Sequence, residues 1–153
     1  MKNIWKRVEK LLLSNMEKKK INVEVSWTGD NYCCAWEDGQ DGVVLVAAKT
    51  IQKLKEDFEE SMRLHILGCI EDGDSFPEYL ASGDYEIEYN LDAAALIRNA
   101  ETFTTMSVIS RISGINRKQL SHYANGVKHP RPAQIARIKA ALAIIGTQLL
   151  ALS

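Results

Sequence analysis

The sequence predicts an α+β fold in which a sheet-forming half is followed by an all-helical half. Four short segments between residues 20 and 91 have the apolar and polar patterns of strands, and one long helical segment separates the third from the fourth. Residues 92–153 show only helical spacing, punctuated by glycine, asparagine and proline. We therefore divide the chain into an N-terminal extension (1–19), an α+β domain (20–91) and a helical domain (92–153).

The two halves also differ in charge. Residues 1–101 contain 12 Lys/Arg and 20 Asp/Glu, a net charge of −8, whereas residues 102–153 contain 7 Lys/Arg and no acidic residue, a net charge of +7. This split favours two surfaces with different partners over a uniform surface around one active site.

Composition argues against a secreted or membrane protein. Three cysteines without a repeated spacing do not make a disulfide framework, and they fit free thiols in a reducing cytoplasm, where we expect the protein to act. No apolar run reaches the roughly 18 residues of a membrane span, so we expect no membrane partner.

The N-terminal extension is basic and allows two interpretations. Ile4, Val8, Leu11 and Leu12 have helical spacing, which favours an amphipathic helix that lies on the body or on a partner. Alternatively, the domain begins near Met16, just before the first strand, and the preceding residues are a frayed or loosely docked leader.

The α+β domain has the predicted order β-β-β-α-β, with strands at residues 21–27, 32–37, 43–48 and 85–91. Short turns join the first three strands, so they form an antiparallel meander. The apolar run VVLVAA at 43–48 is typical of a central strand. Residues 75–83 read as a loop. A helix capped by Thr50 covers residues 50–70, and its predicted buried stripe is Ile51, Leu54, Phe58, Met62, Ile66 and Leu67.

No group of residues has the spacing of a catalytic or metal site. His65 lies in an apolar stretch of the long helix, where packing or an interaction with the helix dipole is the commoner role. Glu86 and Glu88 share one face of a strand, which is typical of a solvated surface. Cys33 and Cys34 point to opposite faces of a strand and make a poor metal pair. We predict that the protein is not an enzyme, has no catalytic residues and needs neither metal nor cofactor.

The helical domain has a helix-turn-helix layout. Asp92 caps a first helix that runs to about Thr102. In the stretch that follows, Gly114 falls at a bend where a helix end needs a positive φ, Asn116 is a good N-cap for the next helix, and Asn125-Gly126 ends that helix. These signals predict two short helices joined by a tight turn.

A final helix is predicted from Pro132 to about Leu152. Its core positions are Ile135, Ile138, Leu142 and Ile145. Gly146 should interrupt it and leave an apolar tail of leucines at 149, 150 and 152, which we expect to dock against a second subunit.

The second short helix, roughly residues 117–125, has two unlike faces. Leu120, Tyr123 and Ala124 would pack on the domain. The opposite face carries two cations and three hydrogen-bonding side chains but no carboxylate: Arg117, Lys118, Ser121, His122 and Asn125. Such a face suits the phosphate-lined major groove of DNA, although a solvated face of a small bundle would look similar.

The segment GINRKQLSHYANG at 114–126, followed by a proline after a basic loop, resembles the Xre/Cro-type helix-turn-helix signature. The resemblance implies that Arg117, Lys118 and His122 point at base edges and that Asn125, Lys128 and Arg131 meet phosphates. The full set of expected DNA-binding residues is Asn116, Arg117, Lys118, Gln119, Ser121, His122, Asn125, Lys128 and Arg131.

The combined layout is similar to the HicB antitoxin family over roughly residues 20–146. In the front half the similarity lies in the strand order and in the passage VVLVAAKTIQKLKEDFEESM. It implies a partial ribonuclease H-like domain without a nuclease site. The expected partners are a small basic HicA-like RNA-cleaving toxin, operator DNA, and further copies of the chain in a homodimer or higher homo-oligomer. The alternative is a stand-alone dimeric transcriptional regulator whose front domain binds a ligand or only dimerises.

Overall fold

A computed structural model of the chain describes residues 2–16, 18–40 and 42–153. Within these ranges the chain forms a four-stranded sheet and seven helices, which confirms the α+β class. One hydrophobic core lies under the sheet, and a second lies among the C-terminal helices.

The sheet contains β1 (Lys19–Trp27), β2 (Tyr32–Glu37), β3 (Val43–Ala48) and β4 (Tyr85–Leu91). The strand order is β3-β2-β1-β4. The first three strands pair antiparallel, as predicted from their short turns, and β4 pairs parallel with β1 after the helical crossover. Burial raises the pKa of the Cys34 thiol in β2 to about 11, so this buried cysteine stays protonated.

The prediction that residues 43–48 form a central strand is wrong, because β3 lies at the edge of the sheet. Val44, Val46 and Ala48 are buried, whereas Val43 and Leu45 on the other face are 59% and 73% exposed. An unbroken apolar run therefore reflects one buried face and one open apolar face.

The helix α2 (Ile51–Asp72) covers the buried face of the sheet. The Thr50 side chain accepts a hydrogen bond from the Lys53 amide, which confirms the predicted N-cap. Gly73 ends the helix with φ 70°. Leu67 was expected in the buried stripe but is 43% exposed. Leu67 comes five positions after Met62, so its side chain points away from the buried face of the helix. The buried stripe continues instead to Cys69, which comes three positions after Ile66.

The segment 75–83 is not wholly a loop, because it contains the short helix α3 (Glu78–Ser82). Pro77 precedes this helix in an extended conformation, and Gly83 ends it with φ 74°. Leu80 is buried in the core under the sheet, and its burial stabilises this short helix. The prediction of a loop over residues 75–83 is therefore wrong for residues 78–82.

The N-terminal extension contains the helix α1 (Lys2–Met16). Among its described side chains, Ile4, Trp5 and Leu11 are 65%, 70% and 62% exposed. The helical structure of the first interpretation is therefore observed, and most of the surface of these three side chains is open to solvent.

The helical half contains α4 (Ala93–Ala100), α5 (Met106–Ser113), α6 (Arg117–Ala124) and α7 (Pro132–Leu150). The Asp92 side chain caps α4 as predicted, by accepting a 2.7 Å hydrogen bond from the Ala95 amide. Gly146 does not interrupt α7, which continues to Leu150 because an isolated glycine weakens a helix without ending it.

The helix α7 is long and apolar enough to cross a membrane by length and composition alone, with an 18-residue window of mean hydropathy 1.2. Only 11% of that window is buried, and the buried residues of α7 are Ile138, Ala141 and Ile145. Its exposed end, with Leu149 and Leu150 49% and 75% exposed, is the apolar tail expected from the sequence.

Candidate nucleic-acid interface

The turn between α5 and α6 is held by side chains from α5 and α7. Gly114 has φ 71°, the left-handed conformation predicted for it. The Ser110 hydroxyl donates a 2.7 Å hydrogen bond to the Ile115 carbonyl, and the Ile115 amide donates to the Ser113 hydroxyl. From α7, Arg137 Nε donates to the Ser113 carbonyl at 3.1 Å. These bonds fix the angle at which α6 leaves the turn.

The inner face of α6 is buried as predicted. Leu120 and Ala124 are fully buried, and Tyr123 is 4% exposed. They pack with Ile97, Ile109 and Ile138 in the core of the helical half. The Asn116 side chain caps the helix by accepting a 2.8 Å hydrogen bond from the Gln119 amide. The helix is thus anchored along its length and presents a defined outer face.

Four cations lie on or beside the outer face of α6. Arg117 and Lys118 are exposed in its first turn, and Lys128 and Arg131 are exposed in the segment that leads to α7. Among the residues that the structure describes, none of the four forms an ion pair. Since residues 102–153 contain no acidic residue, nothing within this segment neutralises the positive field around them.

The other predicted contact residues are partly engaged within the protein. Asn125 accepts a hydrogen bond from Arg98 Nη2 and donates a 2.9 Å bond to the Ser121 carbonyl. Gln119 Nε2 donates to the Tyr123 hydroxyl at 2.8 Å. These bonds hold the side chains in place and leave fewer of their polar atoms for a partner.

His122 is half-buried, and its Nδ1 is fully buried without a hydrogen-bond partner in the part of the chain that the structure describes. A buried nitrogen without a partner costs free energy, so such atoms often mark places that a ligand or water completes.

Two arginines that shape the interface were missed by the sequence analysis. Arg98 extends from α4 to Asn125 at the end of α6, and Arg137 extends from α7 to the end of α5. Neither arginine lies in the helix-turn-helix motif, and only the packing of the helices brings them to it. No local signal would have identified them.

An apolar groove lies between α4 and α7, away from the outer face of α6. It has a volume of about 250 Å³, and its lining includes Leu96, Leu142 and Leu149. Phe103 stands at its edge and is 74% exposed. Leu149, which lines the groove, also belongs to the exposed apolar end of α7.

In the sheet half, a polar cluster joins the hairpin loop between β2 and β3 to the C-terminal part of α2. His65 Nε2 lies 2.8 Å from Asp38 Oδ2 and 3.8 Å from Cys69 Sγ. The amides of Gln40 and Gly42 donate hydrogen bonds of 2.7 and 3.0 Å to Asp38 Oδ1. His65 is thus not the isolated histidine that the sequence indicated.

The environments of the two acidic groups in this cluster shift their pKa values in opposite directions. Burial alone would raise the pKa of Asp38, but hydrogen bonds from Gln40, His65 and Gly42 outweigh it and lower the pKa below its usual value. Burial, followed by the nearby carboxylates, raises the pKa of the Cys69 thiol.

Comparison of the chain with protein-family models, curated proteins and solved structures gave no match.

Proposed function

We propose that the chain is an antitoxin that represses its own operon, with α6 reading operator DNA and the sheet half neutralising a small basic HicA-like RNA-cleaving toxin. The observation that carries the proposal is the outer face of α6. Arg117 and Lys118 project from a helix whose inner face is fully packed, in a segment without any carboxylate. The proposal needs no cofactor and no catalytic residue.

The dimensions of α6 support its insertion into the major groove. An α-helix with its side chains is about 10–12 Å across, and the major groove of B-DNA is about 12 Å wide. In helix-turn-helix proteins, the N-terminal residues of the second helix contact base edges. Here these residues are Arg117 and Lys118, and either side chain can donate to guanine O6 and N7. Lys128 and Arg131 then meet the flanking phosphates.

We further propose that two copies associate through the groove between α4 and α7. Phe103 and Leu149 are exposed there in one chain, and burial of such side chains against a second copy would be favourable. A dimer would place its two α6 helices at half-sites about one DNA turn, or 34 Å, apart.

The DNA-binding part of the proposal is tested by alanine substitution of Arg117 and Lys118. Each variant should bind DNA from upstream of its own coding sequence about 5- to 150-fold more weakly than the unsubstituted chain, the equivalent of about 1–3 kcal/mol for one base contact. Fluorescence anisotropy with labelled duplex measures the affinity. Arg63→Ala, which removes an exposed cation from α2 in the sheet half, is the matched control and should leave affinity unchanged. Unchanged affinity of both α6 variants would remove this helix from the interface.

The sheet half offers an open face for the toxin. On this face Glu24 of β1 lies beside Ala35 of β2, and Ala35 lies beside Leu45 of β3, while β4 adds Glu86 and Glu88 at the far edge of the sheet. Leu45 is 73% exposed, and Glu24 is also exposed. A small basic protein would bury the leucine and meet the acids, which would mainly speed its encounter.

Co-purification tests this second part. Where a neighbouring gene encodes a small basic protein, that protein is expressed together with this chain. Leu45→Arg is expected to abolish the complex, while Glu24→Lys should weaken it at low salt. Leu64→Arg is the control, because Leu64 is 55% exposed on α2, away from the open face. If the complex forms equally with all three variants, the open face is not the toxin site.

The stand-alone regulator is the second candidate, and one observation favours it. A cavity of about 530 Å³ lies between the two halves, lined by residues that include Tyr32, Lys49, Lys55 and Asn99. Its size and mixed lining suit a small polar ligand.

A neighbouring gene distinguishes the two candidates. A gene for a basic protein of under about 100 residues beside this one favours the antitoxin. Its absence favours the regulator.

A further inference from the structure

We propose that Asp38, His65 and Cys69 form a binding site for a divalent transition metal, with Zn²⁺ as the expected ion. The three side chains supply one carboxylate oxygen, one imidazole nitrogen and one sulfur, and these atoms all lie within 4.8 Å of one another. Nitrogen and sulfur ligands together select zinc over magnesium or calcium, and a carboxylate is its common third ligand type. This site does not depend on DNA or toxin binding.

Two of the three distances between ligand atoms are close to those of a tetrahedral zinc centre, and the third is at most 4.8 Å. Ligands at ordinary zinc distances stand about 3.3 Å apart for oxygen and nitrogen and about 3.6 Å apart for nitrogen and sulfur. Here the Asp38 to His65 distance is 2.8 Å and the His65 to Cys69 distance is 3.8 Å. The ion would therefore separate the first pair by about 0.5 Å and draw the second pair slightly together. His65 and Cys69 are four residues apart on α2, so the same helical face carries both.

The surroundings orient the ligands as a metal site requires. The side chain of Asp38 is only 3% exposed, and two backbone amides hold its Oδ1, which directs Oδ2 toward His65. Such outer hydrogen bonds set the direction of a ligating carboxylate.

Gly42 makes room for this arrangement. A Cβ at this position would lie 2.0 Å from Asp38 Oδ2 and 2.5 Å from His65 Cε1. The glycine allows the loop backbone to approach the two ligands closely.

The cluster also has an entrance and a fourth position. It opens into a cavity of about 500 Å³ whose lining includes Gln40, Asp74 and Ser75. With three protein ligands, the fourth zinc position faces this cavity, where water or the Asp74 carboxylate can occupy it.

Titration of the full-length, tag-free chain with Zn²⁺ tests the site. Isothermal calorimetry should show one tightly bound ion per chain, and Co²⁺ in place of Zn²⁺ should give the charge-transfer absorption of a cobalt–thiolate bond. Cys69→Ser should lose that absorption, and His65→Asn should lose at least tenfold in affinity. Cys33→Ser is the matched control, because this thiol lies outside the cluster, and the variant should behave like the unsubstituted chain.

Three results would overturn the proposal: no stoichiometric binding by the unsubstituted chain, equal binding by Cys69→Ser, or loss of binding in Cys33→Ser. Circular dichroism establishes whether each variant is folded. If Cys69→Ser does not fold, Asp38→Asn takes its place as a nearly isosteric change, and retention of full Zn²⁺ affinity by a folded Asp38→Asn chain would refute the site.

Discussion

The substitution Gly42→Ala tests whether the hairpin loop is packed against α2 as described. Gly42 is not among the glycines with positive φ, so alanine meets no backbone strain there. The added Cβ would instead lie 2.0 Å from Asp38 Oδ2 and 2.5 Å from His65 Cε1. The Asp38 carboxylate cannot move away freely, because it is buried and accepts hydrogen bonds from two backbone amides.

The expected cost has two parts. Overpacking of this kind typically costs about 1–3 kcal/mol. If Asp38 moves away from His65, the loss of a hydrogen bond to a charged group adds about 1.5–3 kcal/mol. With both parts, we expect the free energy of unfolding of the sheet half to fall by about 2.5–6 kcal/mol.

Urea unfolding followed by tryptophan fluorescence measures this change, because Trp27 and Trp36 lie in the sheet half and residues 92–153 contain no tryptophan. Gly68→Ala is the matched control: it lies inside α2, its Cβ would contact nothing within 4 Å, and it should stabilise by about 0.5–1 kcal/mol. If Gly42→Ala matches or exceeds the stability of the unsubstituted chain, the loop does not contact His65 and the reasoning fails.

Two further predictions concern the core of the helical half and acid stability. Leu120→Ala should cost about 2–5 kcal/mol in unfolding followed by circular dichroism, because Leu120 is fully buried; Lys118→Ala, on the exposed face, should stay within about 0.5 kcal/mol, and equal effects would contradict the assigned faces. The lowered pKa of Asp38 contributes stability that is present above the usual aspartate pKa of 3.8 and is lost as the pH falls through its lower folded value. Asp38→Asn should therefore lessen the loss of stability in that acidic range, and an unchanged acid dependence would contradict the described hydrogen bonds.

Local signals in the sequence predicted the element boundaries well. Thr50, Asp92 and Asn116 each accept the capping hydrogen bond expected of them, and Gly114 has the expected left-handed backbone. Caps and turns depend on residues within one or two turns of the chain, so their chemistry can be read from a short window.

The position of β3 could not be read in this way. A strand with apolar residues on both faces looks the same at the centre of a sheet and at an edge whose outer face meets a partner. Leu45 and Val43 are apolar yet exposed. The apolar run therefore predicted burial on both faces of the strand, whereas the chain by itself buries only one.

The polar cluster shows a second limit of the sequence. Asp38 lies 27 residues from His65, and only the packing of the hairpin on α2 brings them together. The spacing of His65 and Cys69 was the one available signal, and two potential ligands on a helix are too common to indicate a metal site alone. Arg98 and Arg137 act across similar distances in the chain.

We propose above all that α6 reads a specific DNA sequence. Titration of the full chain against the duplex upstream of its own coding sequence and against a shuffled duplex, at several salt concentrations, tests this proposal. We expect the upstream duplex to bind at least about 10³-fold more tightly at physiological salt. Affinity for both duplexes should fall as salt rises, by about 0.9 logarithmic units per tenfold rise in salt for each phosphate that the protein neutralises. Equal affinity for the two duplexes, or no binding at low salt, would contradict it.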